Sequence, residues 1–516
     1  MKKPVFGLLF LLICLTALAV RVVRLDLRPM HHDEANQAVK FGNLLENGEY
    51  RYDNTDHHGP SLYYLSLPLV RLITGPDFAD TGTFALRLLP ALSGMGMIIL
   101  FLFLADGLSR KGVVFASLLA ALSPMVVFYS RFYIQETLLI FFAMGLITAG
   151  WRYYRKPSAG WAVLTGFFAG MMYATKETSL IIFAAAIGSL FLTRLTMRRP
   201  ATAEKPSPQW SHLPAAFGTA LFVAILFYSS FFENPAGPVD SLSAFKTYFS
   251  KAGAAGFHEH PWYYYLKMLA FSKYGSGPAW SEGLVLILML TGSVFSFRKK
   301  IPAHISPVFL RFIFFHTYLI MAVFSLIPYK TPWNSLPFYS GMILLAGAGA
   351  VVIINYFKTG IYRFIVYSLL LVGVVNLSMQ CLRANFKYYA DNRSPYVYAH
   401  TVNDFKRLVA RIEDISALHA DKYGMLIKVI ANPYDTWPLP YYLRKFHKVG
   451  YWQDALSAGL LPGVPLIVAS LDQDDMIRPI LTKNYQAEYY GLRPEALLVV
   501  YIRQDLWRLL MKTGRQ

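Results

Sequence analysis

The densest chemistry in this chain follows its first apolar block: Met30-His31-His32-Asp33-Glu34-Ala35, then Asp53 to Asp56, then His57-His58-Gly59-Pro60. Adjacent carboxylates suit proton transfer, because burial or a like-charged neighbour raises a carboxyl toward the range of a useful base. Asp33 and Glu34 are therefore the candidate catalytic pair. The competing reading is a solvated loop in which both acids only cap helices. His258-Glu259-His260-Pro261-Trp262 is a second cluster. Two histidines at i and i+2 beside a carboxylate offer ligands to a divalent metal. That spacing is not a zinc-helix signature, and a loop that hydrogen-bonds substrate, or nothing, is the stronger reading. His57 and His58 carry the same ambiguity. Tyr263-Tyr264-Tyr265 reads as an interfacial aromatic belt, with sugar stacking as the alternative. His316 stands alone in a later apolar block. A satisfied packing histidine outranks a catalytic one there, although ionisable groups inside a membrane are suspect by default.

The apolar blocks are what must position these residues. Hydrophobic residues make up 55% of the 516 and charged ones only 15%, against roughly a quarter charged in soluble proteins. Spans of roughly twenty apolar residues are expected at 4–22, 84–104, 112–129, 134–151, 160–175, 178–194, 213–232, 281–297, 307–328, 335–354 and 361–381. This is an all-α polytopic membrane domain of about eleven helices. Eight acidic residues lie between 84 and 382 (Asp106, Glu136, Glu177, Glu204, Glu233, Asp240, Glu259 and Glu282). All fall in loops or at span ends. Gly341, Gly347 and Gly349 suit close helix approach.

Lysines and arginines in alternate short loops set the orientation. One set holds Lys2, Lys3, Arg110, Lys111, Arg152, Arg155, Lys156, Arg194, Arg198, Arg199, Lys205, Arg298, Lys299, Lys300, Lys358 and Arg363; the short loops of the other hold only Arg131, Lys176 and Lys330. The rich set is cytoplasmic, as is the N-terminus, and residues 23–83, 233–280 and 382–516 face outward. The expected location is the cell (inner, cytoplasmic) membrane. Arg21, Arg24 and Arg28 break the count, in a long loop that obeys the bias poorly. Lys2-Lys3, the apolar run and Ala17-Leu18-Ala19 also fit a cleavable signal peptide; either way 23–83 lies outside.

A net charge of +19 follows from this loop bias, and no nucleic-acid module accompanies it. Cys14 and Cys381 lack CxxC partners and read as packed apolar side chains. Residues 201–211 form a polar linker. Beyond 381 the pattern changes: short apolar runs at Met425–Ala431, Val464–Ser470 and Ala496–Ile502 read as strands, and Thr401–Leu418 as a helix. Residues 1–381 and 382–516 are thus a membrane domain and a small extracytoplasmic α/β domain. Tyr434 to Tyr442 follows a strand, as a loop that meets substrate, closes over a cavity or packs domains.

The order of these motifs resembles the GT-C superfamily of membrane glycosyltransferases, in the protein O-mannosyltransferase and aminoarabinose transferase branch (glycosyltransferase family 39-like). The resemblance covers about residues 1–381. It rests on His32-Asp33-Glu34-Ala35, His58-Gly59-Pro60 and Leu86-Arg87-Leu88-Leu89-Pro90. Tyr129-Ser130-Arg131 with Glu136, Thr175-Lys176-Glu177 and Tyr329-Lys330-Thr331-Pro332-Trp333 complete it. It implies a polyisoprenyl-phosphate-linked sugar donor, an inverting transfer on the outer face, and a protein, lipid or glycan acceptor. Asp33 would take the acceptor's proton, with Glu34 orienting it or serving instead. Arg131, Lys176 and Lys330 would neutralise the leaving phosphate, against a bland reading as interfacial snorkels. Glu136 and Glu177 would pair with them or form a second acidic site. No cofactor is called for; a divalent metal at His258, Glu259 and His260 is the lesser alternative, read from those residue types alone. No Walker-type or GxGxxG motif supports a nucleotide site. The alternative function is a transporter or flippase for a lipid-linked saccharide, which would place ionisable groups nearer mid-bilayer.

Overall fold

The computed structural model describes residues 1–55, 58–197, 209–252, 258–298, 301–302, 304–357, 359–481 and 484–513. His57, Glu204, Lys205 and most of the expected linker lie outside the described residues.

Each expected span has an apolar helix: α1 (Lys3–Val22) and, after helices α2 (His32–Asn47) and α3 (Ser61–Thr74), α4 (Thr83–Phe101) and α5 (Ala105–Leu122). A short α6 (Pro124–Ser130) precedes α7 (Gln135–Arg155), α8 (Ala159–Tyr173), α9 (Ser179–Thr196) and α10 (Leu213–Tyr228). Helices α11 (Gly237–Ala252) and α12 (Tyr264–Ala270) lead to α13 (Gly283–Phe295), α14 (Pro307–Leu326), α15 (Leu336–Tyr356) and α16 (Gly360–Leu382). By length and composition seven runs among the described residues can cross a membrane, α4 and α5 counted as one, or eight with the bent pair α6–α7; α8 and α13 are shorter apolar helices. The chain is a multi-pass integral membrane protein.

One expected boundary is corrected. The span read as 112–129 ends at Leu122, and Ser123 turns extended before Pro124, because a residue preceding proline is driven out of the helical region. Ser123 caps α6 through the Val126 N–H. α6 then meets α7 at 112°, so residues 131–134 form a corner inside the protein.

Helix α15 is the axis of the bundle and almost wholly buried. Its glycines make the close packing possible. A Cβ on Gly349 would stand 1.9 Å from the Leu288 carbonyl oxygen of α13, and one on Gly347 2.5 Å from that of Gly112 in α5. His316 of α14 corrects the reading of a satisfied histidine: it is buried, stacks on Phe312, and neither ring nitrogen has a partner among the described residues.

The C-terminal part carries a five-stranded mixed sheet, with β1 (Ile427–Ile430), β2 (Val449–Trp452), β3 (Leu466–Ser470), β4 (Tyr485–Arg493) and β5 (Ala496–Arg503) in the order β2-β1-β3-β5-β4. β1 runs parallel to β2 and β3; β5 is antiparallel to β3 and β4. Alternation along the strands sends Ile427, Val429, Val468 and Val500 into one core with Phe405 and Leu408 of α17 (Asp404–Leu418), and Ile467, Val499 and Tyr501 into another.

Candidate active site

The link between α1 and α2 has no regular structure, so its backbone carbonyls need partners from elsewhere. Arginines supply most of them. Arg131, at the α6–α7 corner, donates to the carbonyls of Val20, Arg21, Val23 and Arg24 at 2.7–3.0 Å. Arg87, in the first turns of α4, donates to those of Leu25, Arg28 and Pro29. Arg28 in turn donates to the Arg131 carbonyl at 2.7 Å and lies over the rings of Phe128 and Phe132. Burial, the Glu34 charge working against it, and the neighbouring Arg87 and Arg131 leave Arg28 lowered to about 9. Leu25, these three arginines, Phe128, Asn385 and Tyr389 line a cavity of about 10 Å³, room for one water at most. Arg131 was expected to meet a donor phosphate; both of its terminal nitrogens bond the chain that leads to the acids.

Glu34 and Asp33 have different surroundings. Helix α2 opens with a capping box. The His31 Nδ1 accepts from the Asp33 N–H at 3.0 Å, and the Glu34 carboxylate accepts from the His31 N–H at 3.0 Å. Glu34 is fully buried and paired two-pronged with Arg87 at 2.7 Å; it also accepts the Tyr133 N–H at 2.8 Å. Burial pushes its carboxyl up, but Arg87 and Arg28 outweigh this and hold it below the ordinary range. A carboxylate with every lone pair engaged is a poor base. The Asp33 side chain, by contrast, is 43% exposed at the helix N-terminus, with one oxygen 3.7 Å from His31 Nδ1. Of the expected pair, only Asp33 is free to meet a substrate.

Aromatic and imidazole groups cluster about His31, the nearest partner of this carboxylate. The His31 ring packs against Phe132, Trp333 and His400. Burial holds it below its ordinary value against the opposing pull of Asp33 and Glu34. Because Nδ1 accepts, Nε2 carries the proton and donates to the Tyr398 carbonyl at 3.2 Å. The Tyr398 hydroxyl reaches His258 Nδ1 at 2.7 Å and His260 Nε2 at 3.5 Å. His258 is lowered by burial, with Asp33 pulling the other way, and Asp33 also helps raise the Tyr329 phenol, after burial. His258 and Tyr329 therefore lie within reach of the Asp33 charge. Glu259 pairs through its backbone with Tyr329. Among the described residues no group of three or more His, Cys, Asp or Glu could hold a metal ion; His258 and His260 serve the Tyr398 network instead. Tyr265, read as a belt residue, is buried, and Tyr264 stacks on His260 at 4.2 Å.

The other expected cations have fixed partners. Lys330 donates through Nζ to the His260 and Ile327 carbonyls at 2.8 and 2.5 Å, and its N–H bonds His258 O at 2.8 Å. Lys176 is buried in an ion pair with Glu136. Glu177 accepts from the Tyr52 hydroxyl at 3.3 Å and meets His58 Nδ1 at 2.8 Å. Burial raises its carboxyl, while His58 and Lys176 bring it down to below the ordinary value. Gly59 makes this meeting possible: a Cβ there would lie 2.3 Å from the Ala174 carbonyl oxygen.

Several groups that shape the site were not singled out from sequence. Tyr398 and His400, in the segment after α16, carry no motif. Arg87 stood within a quoted motif without a role, and Arg21 and Arg28 were visible only as charges on the wrong side of the count. Glu282, buried at the head of α13, accepts from Tyr339, Ser123, Met125 and Tyr396 at 2.7–3.4 Å, joining four segments beneath the site.

A crystal structure of ArnT from Cupriavidus metallidurans in the apo state is similar along nearly the whole chain, with a TM-score of 0.64, 16% identity, and 96% of this chain and 98% of that one covered. This chain has the GT-C fold. The GT-C likeness extends to the same protein bound to undecaprenyl phosphate, with a TM-score of 0.64, 15% identity and coverage of 98% and 99%. It extends also to the Archaeoglobus fulgidus oligosaccharyltransferase tethered with an acceptor peptide, at 0.56, 12% identity and coverage of 98% and 77%. A family model described as dolichyl-phosphate-mannose-protein mannosyltransferase matches residues 69–230. No curated relative matches by sequence.

Proposed function

We propose that this GT-C chain is a membrane glycosyltransferase that moves a sugar from a polyisoprenyl-phosphate carrier to an acceptor hydroxyl on the extracytoplasmic face of the cell membrane. The observation that carries this reading is the contrast within the carboxyl pair: Glu34 locked by Arg87, and Asp33 held out at the head of α2. In the reaction the Asp33 carboxylate takes the acceptor proton while the acceptor oxygen attacks the anomeric carbon from the side opposite the phosphate. The bond from that carbon to the phosphate oxygen breaks, the polyisoprenyl phosphate departs, and one displacement inverts the anomeric centre. Lys330 is the cation best placed to neutralise the leaving group, because its backbone is bonded to His258, which feels the Asp33 charge, and two carbonyls leave part of its donor capacity free. Lys176 and Glu177 of the α8–α9 turn, with their partners Glu136 of α7 and His58 ahead of α3, would flank the donor. The likeness to a protein bound to undecaprenyl phosphate supports the donor class.

The test is incubation of purified protein with a panel of polyisoprenyl-phosphate sugars and hydroxyl acceptors, with glycosylated product and released lipid phosphate measured together. Equal amounts of both are expected for at least one donor. Movement of the donor across reconstituted vesicles with neither product would support a transporter and overturn the proposal.

A further inference from the structure

The chain that leads into Asp33 is held in part by the C-terminal part of the molecule. The irregular link from residue 25 to 31 is gripped from two sides. Arg87 takes the Leu25, Arg28 and Pro29 carbonyls. Those of Asp26 and Leu27 go to Lys406 of α17 at 3.1 and 2.8 Å, and that of Met30 goes to the Thr401 hydroxyl at 2.7 Å. The Met30 N–H donates to the Tyr442 hydroxyl at 2.9 Å. Both backbone polar groups of Met30, three residues before Asp33, thus end on C-terminal side chains.

A second grip holds the far end of the same outer segment. The Tyr441 hydroxyl donates to the Thr81 carbonyl at 3.0 Å, and Arg444 donates to the carbonyls of Phe78 and Thr81 at 3.0 and 2.7 Å. Phe78 lies directly under Gly42 of α2, where a Cβ would come within 2.7 Å of the ring. One short stretch, residues 441–444, therefore braces α2 through Met30 before it and through Phe78 beneath it.

We infer that Thr401 and Tyr442 are positioning residues that set where the Asp33 carboxylate stands, so that the C-terminal domain completes the active site rather than decorating it. This rests on the reading of Asp33 as the base. Misplacing a reacting group by about 1 Å can cost roughly 10²-fold in rate, and Met30, which precedes α2, has no helical hydrogen bonds to satisfy its backbone groups once these bonds are lost.

The experiment uses the full-length protein in lipid nanodiscs with Thr401→Val, Tyr442→Phe and the pair. Each single change is expected to lower kcat about tenfold and the pair about 10²-fold, with donor KM within about twofold, a melting temperature lowered by only a few degrees and the protein fully folded at the assay temperature. Thr401→Ser should restore kcat. Hydrogen exchange at the amides of residues 30–34 should quicken about tenfold in each variant, the rate factor for losing roughly one hydrogen bond. Unchanged kcat in the pair, unchanged exchange, or a kcat loss matched by lost folded protein would each overturn the inference. Should wild-type protein transfer no sugar at all, the reading of Asp33 fails, and exchange at residues 30–34 alone decides whether the grip positions that carboxylate.

Discussion

At the scale of single residues, the site depends on two adjacent acids being unlike. The Glu34–Arg87 pair is fully buried, and removing one partner of such a pair leaves a charge without its counter-charge, at a cost of about 3–5 kcal/mol. Glu34→Gln and Arg87→Met should each destabilise the protein by about that much, whereas the double variant should recover a large part of it. Thermal melts of the four proteins measure the coupling. His31 predicts a pH dependence. Its folded value is depressed by burial below about 6.5, and Asp33 and Glu34, which oppose the shift, and Arg28, which adds to it, face the same ring. The neutral ring therefore contributes stability that is complete above about pH 6.5. That contribution is lost as pH falls through the lowered folded value. His400, depressed in the same way by burial and by His31, adds to the effect. The melting temperature should fall on acidification from pH 7 to pH 5. His31→Asn, which keeps an N-cap oxygen and has no proton to gain, should make that fall shallower.

Individual elements depend on places where no side chain fits. At Gly59 the backbone after His58 runs against the α8–α9 turn, and Ser61 N–H bonds the Ala174 carbonyl at 3.0 Å. Gly59→Ala puts a methyl group 2.3 Å from that oxygen. It should destabilise by about 1–3 kcal/mol and loosen the His58–Glu177 contact; a melt and hydrogen exchange at residues 174–178 would show both. Elements were also where the sequence was most readable. Runs of apolar residues placed every spanning helix, since hydrophobic length is a property of each segment alone. The α5 end was misread because apolar composition continues across Ser123-Pro124 while the backbone does not. The C-terminal strands β1, β3 and β5 were legible as buried runs; β2 and β4, on the sheet edges and half-exposed, have no such run.

Across the whole molecule, the site is a meeting of distant segments, and this limited what the sequence could reveal. Asp33 stood out as a candidate because the acids and histidines around it are contiguous in sequence. Glu34's role was not, because its partner Arg87 lies 53 positions away. Arg131, Lys176 and Lys330 were found by charge counting, which detects a cation at a span end but not whether carbonyls, a carboxylate or a substrate will occupy it. Tyr398 carried no signal, and Thr401 and Tyr442 were visible only as parts of a helix and of a loop with three open readings: their value comes from reaching back 367 to 412 positions to His31 and Met30. The GT-C fold is what brings these segments to one end of the bundle, around the one carboxylate of the pair left open.

The most direct measurement is single-turnover sugar transfer by Asp33→Asn against wild type at saturating donor, with lipid-phosphate donor binding followed in the same preparation. Loss of a general base predicts a fall of about 10²–10⁴-fold in the rate with donor affinity retained. Transfer by Asp33→Asn at the wild-type rate would contradict the account.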